Sequence, residues 1–428
     1  MIRFRVLVAA AIVAAVCLPA SAQDLAPAAP EDAAVRSGAF TYRLGLGYMF
    51  QVSGRQDYPF TDDTFQDDET FAWWRLRPRF AATSRRVDIV VEGQDTHSAG
   101  GRFTSRTAWL DLLNAYVDVK NIGGVSVKVG RQQADLEVVG RLVRQADFAA
   151  VLRSVDLASV TYQRGATDLR AIVFIPLEGN PTGFNRQRDD ERLWTTFARR
   201  RLNPRTAIQS YVVARHNREV LSETGVAGSG AVYAWQLQVE GPTPHPAVDW
   251  AVESVIERGH YSTDEVRAWA LFLRGDVRLS PAATLDVRYT VTSPDTYRGD
   301  GVRGQYDTIY GAATYFSFLG QIRGSNVRSF SVGGAARLAR RLTLNWRYFN
   351  TRLNDRRDAW YGAVNPSRSN PGAPSSFLGH EAAGLLSFQA RPNLLVRGGY
   401  YHFIPGGFSP GAQGHPHEFR LQIIGGIR

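Results

Sequence analysis

The stretch FAWWRLRPRFAA, residues 71–82, sets Arg75, Arg77 and Arg79 at every second position, with Trp74, Leu76, Pro78 and Phe80 in register between and beyond them. On a strand, successive side chains point to opposite faces, so one face carries three guanidiniums and the other is apolar. Guanidinium stays charged, offers forked donors and pairs carboxylates bidentately. Residues i and i+2 of a strand stand about 6.6–6.8 Å apart, the scale of one sugar unit in an extended chain. The chemistry such a ladder can do is anion recognition, passing a chain of carboxylates from site to site. It needs a surrounding structure with an apolar outside and a wet inside.

The rest of the chain repeats this pattern. WALFLRGDVRL puts Trp269, Leu271, Leu273, Val277 and Leu279 opposite Arg274, Asp276 and Arg278; LDVRYTV puts Leu285, Val287, Tyr289 and Val291 opposite Asp286, Arg288 and Thr290. LTLNWRYF sets Leu342, Leu344, Trp346 and Tyr348 against Asn345 and Arg347. Period-2 alternation over about ten residues, broken by Gly, Pro, Asn and Asp, reads as strands and turns. Tight breaks fall near 84–85, 121–124, 165–166, 203–204, 280–281, 340–341 and 391–392. Longer polar loops lie near 52–70, 96–106, 133–154, 177–191, 217–230, 293–326, 353–379 and 405–416. Short turns at one end and long loops at the other are the wiring of an outer-membrane barrel. The expected fold is all-β, a transmembrane antiparallel β-barrel of about 18 strands, with both termini on the periplasmic, short-turn side. A soluble sandwich or propeller also alternates, but its strands have a mode of about 5–6 residues.

The 428 residues carry Lys+Arg 50 against Asp+Glu 40, a net charge of +10, with mean hydropathy −0.23. That hydropathy argues against a helical membrane bundle. Residues 1–22, MIRFRVLVAAAIVAAVCLPASA, read as a signal peptide: basic start, short apolar core, small-residue cleavage site. Residues 23–38 read as a short polar linker and 39–428 as one barrel domain. Cys17 is the one cysteine, so no disulfide scaffold or cysteine-ligated metal is expected after cleavage.

With the apolar faces against lipid, alternation sends Arg75, Arg77, Arg79, Arg274, Arg278, Arg288, Arg347, Arg397 and Arg420 to the lumen. The opposite orientation would cost about 2–4 kcal/mol for each arginine near the midplane. The inward acids Asp118, Glu253, Glu257, Asp276 and Asp286 are expected to pair some of these arginines and leave others for solute. Barrel interiors are also braced by such pairs, so any one arginine can be a structural brace.

At 130–156 the sequence reads GRQQADLEVVGRLVRQADFAAVLRSVD. It resembles the alginate export family of outer-membrane porins in Gly130-Arg131-Gln132, Arg141-Leu142-Val143, Asp147-Phe148 and Arg153 with Asp156. YDTIYGAATYFSFLGQIRGSNVRS (306–329) and LGHEAAGLLSFQARPNLLVRGGYYHFIPGGF (378–408) resemble later parts of the same family. The resemblance implies passive passage of an acidic exopolysaccharide such as alginate, with Arg131, Arg141 and Arg153 in the pore. Alternation along VSVKVGRQ instead puts Arg131 on the face of Val125, Val127 and Val129: either a bulge at Gly130 reverses the register or Arg131 lies above the lipid zone.

Other signals are weaker. The acidic run TDDTFQDDE (61–69) could attract Ca²⁺ but lacks ordered ligand spacing. His380-Glu381, His415 and His417 match no metal signature, and no context supports a Ser-His nucleophile. Trp73, Trp109, Trp194, Trp235, Trp250, Trp269, Trp346 and Tyr400 suit interfacial girdles. The arginines are spread along strands and not clustered as a nucleic-acid patch would be. The reading is a monomeric channel, not an enzyme, with no cofactor. Its expected partners are outer-membrane lipid, the barrel-assembly machinery and periplasmic secretion components. A general porin for small organic anions and an outer-membrane barrel enzyme are the alternatives.

Overall fold

Alternating segments place one row of side chains in hydrocarbon and the next in the interior, and backbone groups in lipid must all be paired within the protein. Closing the sheet satisfies both demands. In the computed structural model, residues 35–58, 67–100, 108–134, 142–143, 151–180, 183–310, 315–362, 373–408 and 414–427 are described. Among them, 18 long strands run from Phe40–Tyr58 to His417–Ile427, each antiparallel to its neighbour. The last strand pairs back onto the first, from Leu46↔Ile427 to Gln56↔His417, and this closes the barrel. Three short pieces, Val35–Ser37, Arg186–Gln187 and Val302–Arg303, add to its edges.

The strands are 9 to 19 residues long, enough to cross the apolar band when tilted. Several extend beyond the expected breaks: Phe40–Tyr58 and Asp67–Thr83 continue into what reads as a loop at 52–70. There both faces carry polar residues, Ser53, Arg55 and Glu69 inward and Gln56, Asp68 and Thr70 outward, so backbone pairing continues while the apolar alternation that marks a strand is lost. Two connections also depart from the expected rhythm. Residues 243–247 form a turn between Ala227–Pro242 and Val248–Tyr261. Tyr261 and Asp264 are joined by only Ser262 and Thr263 on the long-loop side, with Ser262 at φ +53°.

Burial follows the alternation. Trp74, Leu76 and Phe80 are 37–40% exposed, while Arg75 between them is 5% exposed. Leu237, Val252, Ile256, Trp269 and Phe330 are exposed on the same outer surface. Trp235, Trp346 and Tyr400 are exposed as an interfacial belt requires. Trp73 departs from that expectation: it is 2% exposed, on the inner face, with the Arg75 guanidinium 5.6 Å from its ring.

The interior is not an empty tube. Loop residues Tyr306, Ile309, Phe316, Leu319 and Ile322 are buried against inward strand residues such as Phe272, Val255 and Phe403 in one apolar cluster. Residues 306–309 and 316–322 therefore fold inward. Gly324 is required there, because a Cβ would lie 2.3 Å from the Phe316 ring.

Candidate functional site

The arginine ladder stands on strand Asp67–Thr83, flanked by Phe40–Tyr58 and Val87–Ala99. Across the first pair, Arg77 faces Gly47 and Arg79 faces Gly45, so no neighbouring side chain there crowds either guanidinium. Pro78 has no N–H to donate. Pairing to Val87–Ala99 lapses between Leu76↔Asp95 and Arg79↔Glu92, but the register is the same on both sides of the gap. The proline thus removes ladder bonds without displacing the arginines. Arg77 Nε donates to Glu92 Oε1 at 2.8 Å and Arg79 Nη1 lies 3.8 Å from Glu92 Oε2. Asn114 Nδ2 also donates to Glu92, at 2.7 Å. Arg75 lies deeper, with Nη2 3.4 Å from the Met49 sulfur.

The same arithmetic recurs around the interior. Asp286 accepts Arg288 Nε at 2.6 Å and both Asp286 oxygens accept Arg347 Nη2, at 2.8 and 2.7 Å. Glu418, 1% exposed, accepts Arg55 at 3.0 Å and Arg420 at 2.8 Å; Arg55 reaches Glu69 as well, at 3.1 Å. At the short-turn end Asp249 takes both Arg205 and Arg278, the latter at 2.6 Å. Glu92, Asp286 and Asp249 each serve two guanidiniums, so each trio keeps a formal charge of +1. Other inward pairs balance one to one, as with Arg274 and Asp276 at 2.7 Å or Arg170 and Asp168 at 2.7 Å.

The motif arginines sit differently. Pairing runs through Gly130 with no register shift, so no bulge reverses the strand and Arg131 keeps the parity of Val127 and Val129. Gly130 takes φ +132°, where a Cβ would lie 2.2 Å from the Ala115 carbonyl oxygen. Arg131 faces Asp156 across the pair and donates to it at 2.8 and 3.2 Å, with a further bond to the Asn185 carbonyl at 3.3 Å. Arg131 is thus committed to an ion pair at the strand ends. Arg153 is exposed just before strand Ser154–Arg164. Arg141 lies outside the described residues, as do 1–34 and most of the acidic run at 61–69. Arg397 is partly buried on the inner face beside Tyr401.

Of the residues that fix the inward segment, Glu257 is the one that alternation placed inward; the contact made by Glu381, named only for lacking a metal signature, and the roles of Arg215 and Glu191 were not read from sequence. Glu381 Oε1 accepts the backbone N–H of Phe318 at 2.6 Å and of Leu319 at 3.2 Å, and Oε2 takes the Ser317 hydroxyl. On the opposite side, Arg215 donates to Asp307 at 2.6 Å and the Asp307 N–H donates to Glu257 at 2.9 Å. Burial works to raise the Asp307 pKa, but the Arg215 guanidinium and the Ile309 N–H hold it below the usual range. Tyr310 donates to Glu191 through its hydroxyl, and its N–H donates to the Leu142 carbonyl at 2.8 Å. The segment spans from the wall at Glu191 to the wall at Glu381. It carries Tyr315 under Arg288 (5.5 Å) and Phe318 against Tyr401 (ring centroids 5.8 Å). An acid at an inward position of an otherwise small or apolar strand, as in LGHEAAGLL, was the signal available.

A closed antiparallel barrel with an apolar outer belt, a charged interior and an inward-folded loop defines an outer-membrane channel of the bacterial envelope. A family model described as alginate export matches residues 54–421, and the chain belongs to the alginate export family. Solved structures share the fold. OpdK of Pseudomonas aeruginosa, determined with vanillate, aligns at TM-score 0.63 and 13% identity over 90% of this chain and 98% of that one. OccK11 (OpdR) of the same organism aligns at 0.60 and 13% over 90% and 96%. OccAB1 of Acinetobacter baumannii aligns at 0.61 and 10% over 90% and 97%. No curated protein sequence matches the chain significantly.

Proposed function

We propose that this chain is a monomeric, passive channel for anionic saccharides, an acidic exopolysaccharide such as alginate or its oligomers. Solute moves past arginines that their bracing carboxylates do not neutralise. The observation that carries the reading is the two-to-one ratio at Glu92 and Asp286. In each trio one carboxylate fixes the geometry of two guanidiniums, and the surplus charge remains for a passing anion. Low-dielectric walls focus that field and raise local anion concentration, while solvent exposure of Arg79 (40%) keeps binding weak enough for release. Family membership supports alginate as cargo. Arg75, Arg77, Arg79, Arg274, Arg288, Arg347 and Arg397 are the proposed lining; Arg131 is proposed as a brace.

A second reading, a porin for small organic anions, is favoured by the inward fold of residues 306–309 and 316–322, since it narrows the route. Single-channel recording with added oligouronates separates the two. Concentration-dependent block by oligouronates supports the saccharide reading. Conduction of small carboxylates with no block by oligouronates contradicts it.

A further inference from the structure

The outer wall carries a feature that the channel reading does not use. Four neighbouring strands, Ser154–Arg164, Thr167–Glu178, Glu191–Arg201 and Ala207–Leu221, align outward residues in three successive rungs. One is Val160, Ala171, Thr196 and Val212; the next is Tyr162, Leu169, Ala198 and Ser210; the last is Arg164, Thr167, Arg200 and Ile208. The small side chains of the first two rungs leave a recess of about 440 Å³, bordered by Val160, Leu169 and Tyr162. It faces the hydrocarbon, where an acyl chain is the available filler. The third rung lies beside the short turns, at Gly165–Ala166 and 202–206, which is the periplasmic rim. There Arg164 and Arg200, both exposed, stand on either side of Thr167. Their Cα atoms are two strand spacings apart, about 9–10 Å. Arg200 Nη1 lies 3.4 Å from the Thr167 hydroxyl, which draws it toward the gap between the two arginines.

We propose that this face binds one phospholipid of the periplasmic leaflet, its phosphate between Arg164 and Arg200 and one acyl chain in the recess over Ala171 and Ala198. Charge complementarity selects the occupant. A second copy of this chain would bring like-charged arginines together at the rim, whereas a phosphate diester accepts from both forks at once. The hydrocarbon chain and the headgroup meet two different parts of one site, so each can be removed separately.

The test is native mass spectrometry of the purified full-length barrel in detergent, titrated with dioleoyl phosphatidylglycerol. The wild type should hold one lipid through detergent exchange. R164Q/R200Q should lower the retained fraction by roughly tenfold, the scale of a lost charge-assisted contact. A198F, which fills the recess, should do the same with both arginines intact. R340Q, at a rim position away from the recess, should leave retention unchanged. Heat-modifiable migration shows that each variant is folded; the charge variants sit at the exposed rim and keep the test readable if A198F fails to insert. Equal retention in R164Q/R200Q and wild type overturns the proposal. So does a wild-type dimer that A198F dissociates, since the occupant would then be a second copy.

Discussion

At the scale of single residues, the ion pairs of the interior divide into balanced and oversubscribed ones, and the two kinds should respond differently to substitution. In R77Q/R79Q, Glu92 loses both cationic partners and the local charge changes from positive to negative. Two charges about 4 Å apart in a water-like medium interact by about 1 kcal/mol. Loss of each guanidinium should therefore lower the anion-to-cation permeability ratio about fivefold at low salt, and less at high salt. E92Q should move the ratio the other way and lower stability by about 1 kcal/mol, since it removes a brace between Arg77, Arg79 and Asn114. Reversal potentials and denaturant midpoints check both. Arg131 is a contrast: R131Q should leave selectivity unchanged and cost stability, because its charge is committed to Asp156.

At the scale of elements, the inward-folded residues are held at several points, and Glu381 alone accepts three of those hydrogen bonds. E381A leaves the Phe318 and Leu319 N–H groups and the Ser317 hydroxyl without their acceptor. Such a loss costs about 1–3 kcal/mol, localised in one loop. The expected result is a larger and noisier single-channel conductance with the barrel still folded. Unchanged conductance would mean that the segment does not narrow the route. The root of this segment should also respond to pH, through Glu223 in the neighbouring 222–226 turn, whose carboxylate accepts the Gly299 N–H at 2.9 Å. Burial and the neighbouring Asp295 carboxyl raise the Glu223 pKa to about 7, while the Gly299 N–H and Arg303 oppose the shift. Asp264 accepts the Glu223 N–H at 2.7 Å. An acid whose folded pKa is raised binds its proton more tightly when folded. Its contribution is thus fully present below its ordinary range near 4.5 and is lost as pH rises through about 7. Protease cleavage in 293–304 should increase between pH 5 and pH 8 in the wild type, and E223Q should flatten the profile.

At the scale of the whole molecule, the outer surface was the legible part. Lipid imposes a strict rule on outward residues, so Leu76, Trp269 and Leu237 announce the strand, its face and closure of the sheet. Inward residues obey no such rule. The lumen accepts Arg77, Phe272 and Ala268 alike, because water, an ion-pair partner or an inward loop can satisfy each of them. Alternation therefore placed Arg75, Arg288 and Arg347 on the inner face but could not pair them. Arg288 meets Arg347 only through Asp286, across strands Ala283–Thr292 and Leu342–Leu353 that are separated by a third. Glu381 was equally hidden, because its partners lie more than 60 residues away along the chain. The 262–263 turn was missed for a local reason: Ser and Thr close it without Gly or Pro to mark the break.

The central claim is that the surplus arginine charge makes this an anion channel. Planar-bilayer recording of the purified protein in a salt gradient, near neutral pH and low ionic strength, tests it most directly. The predicted result is a reversal potential on the anion-selective side that shifts toward zero in R77Q/R79Q. A cation-selective reversal potential, or one unchanged by R77Q/R79Q, would contradict it.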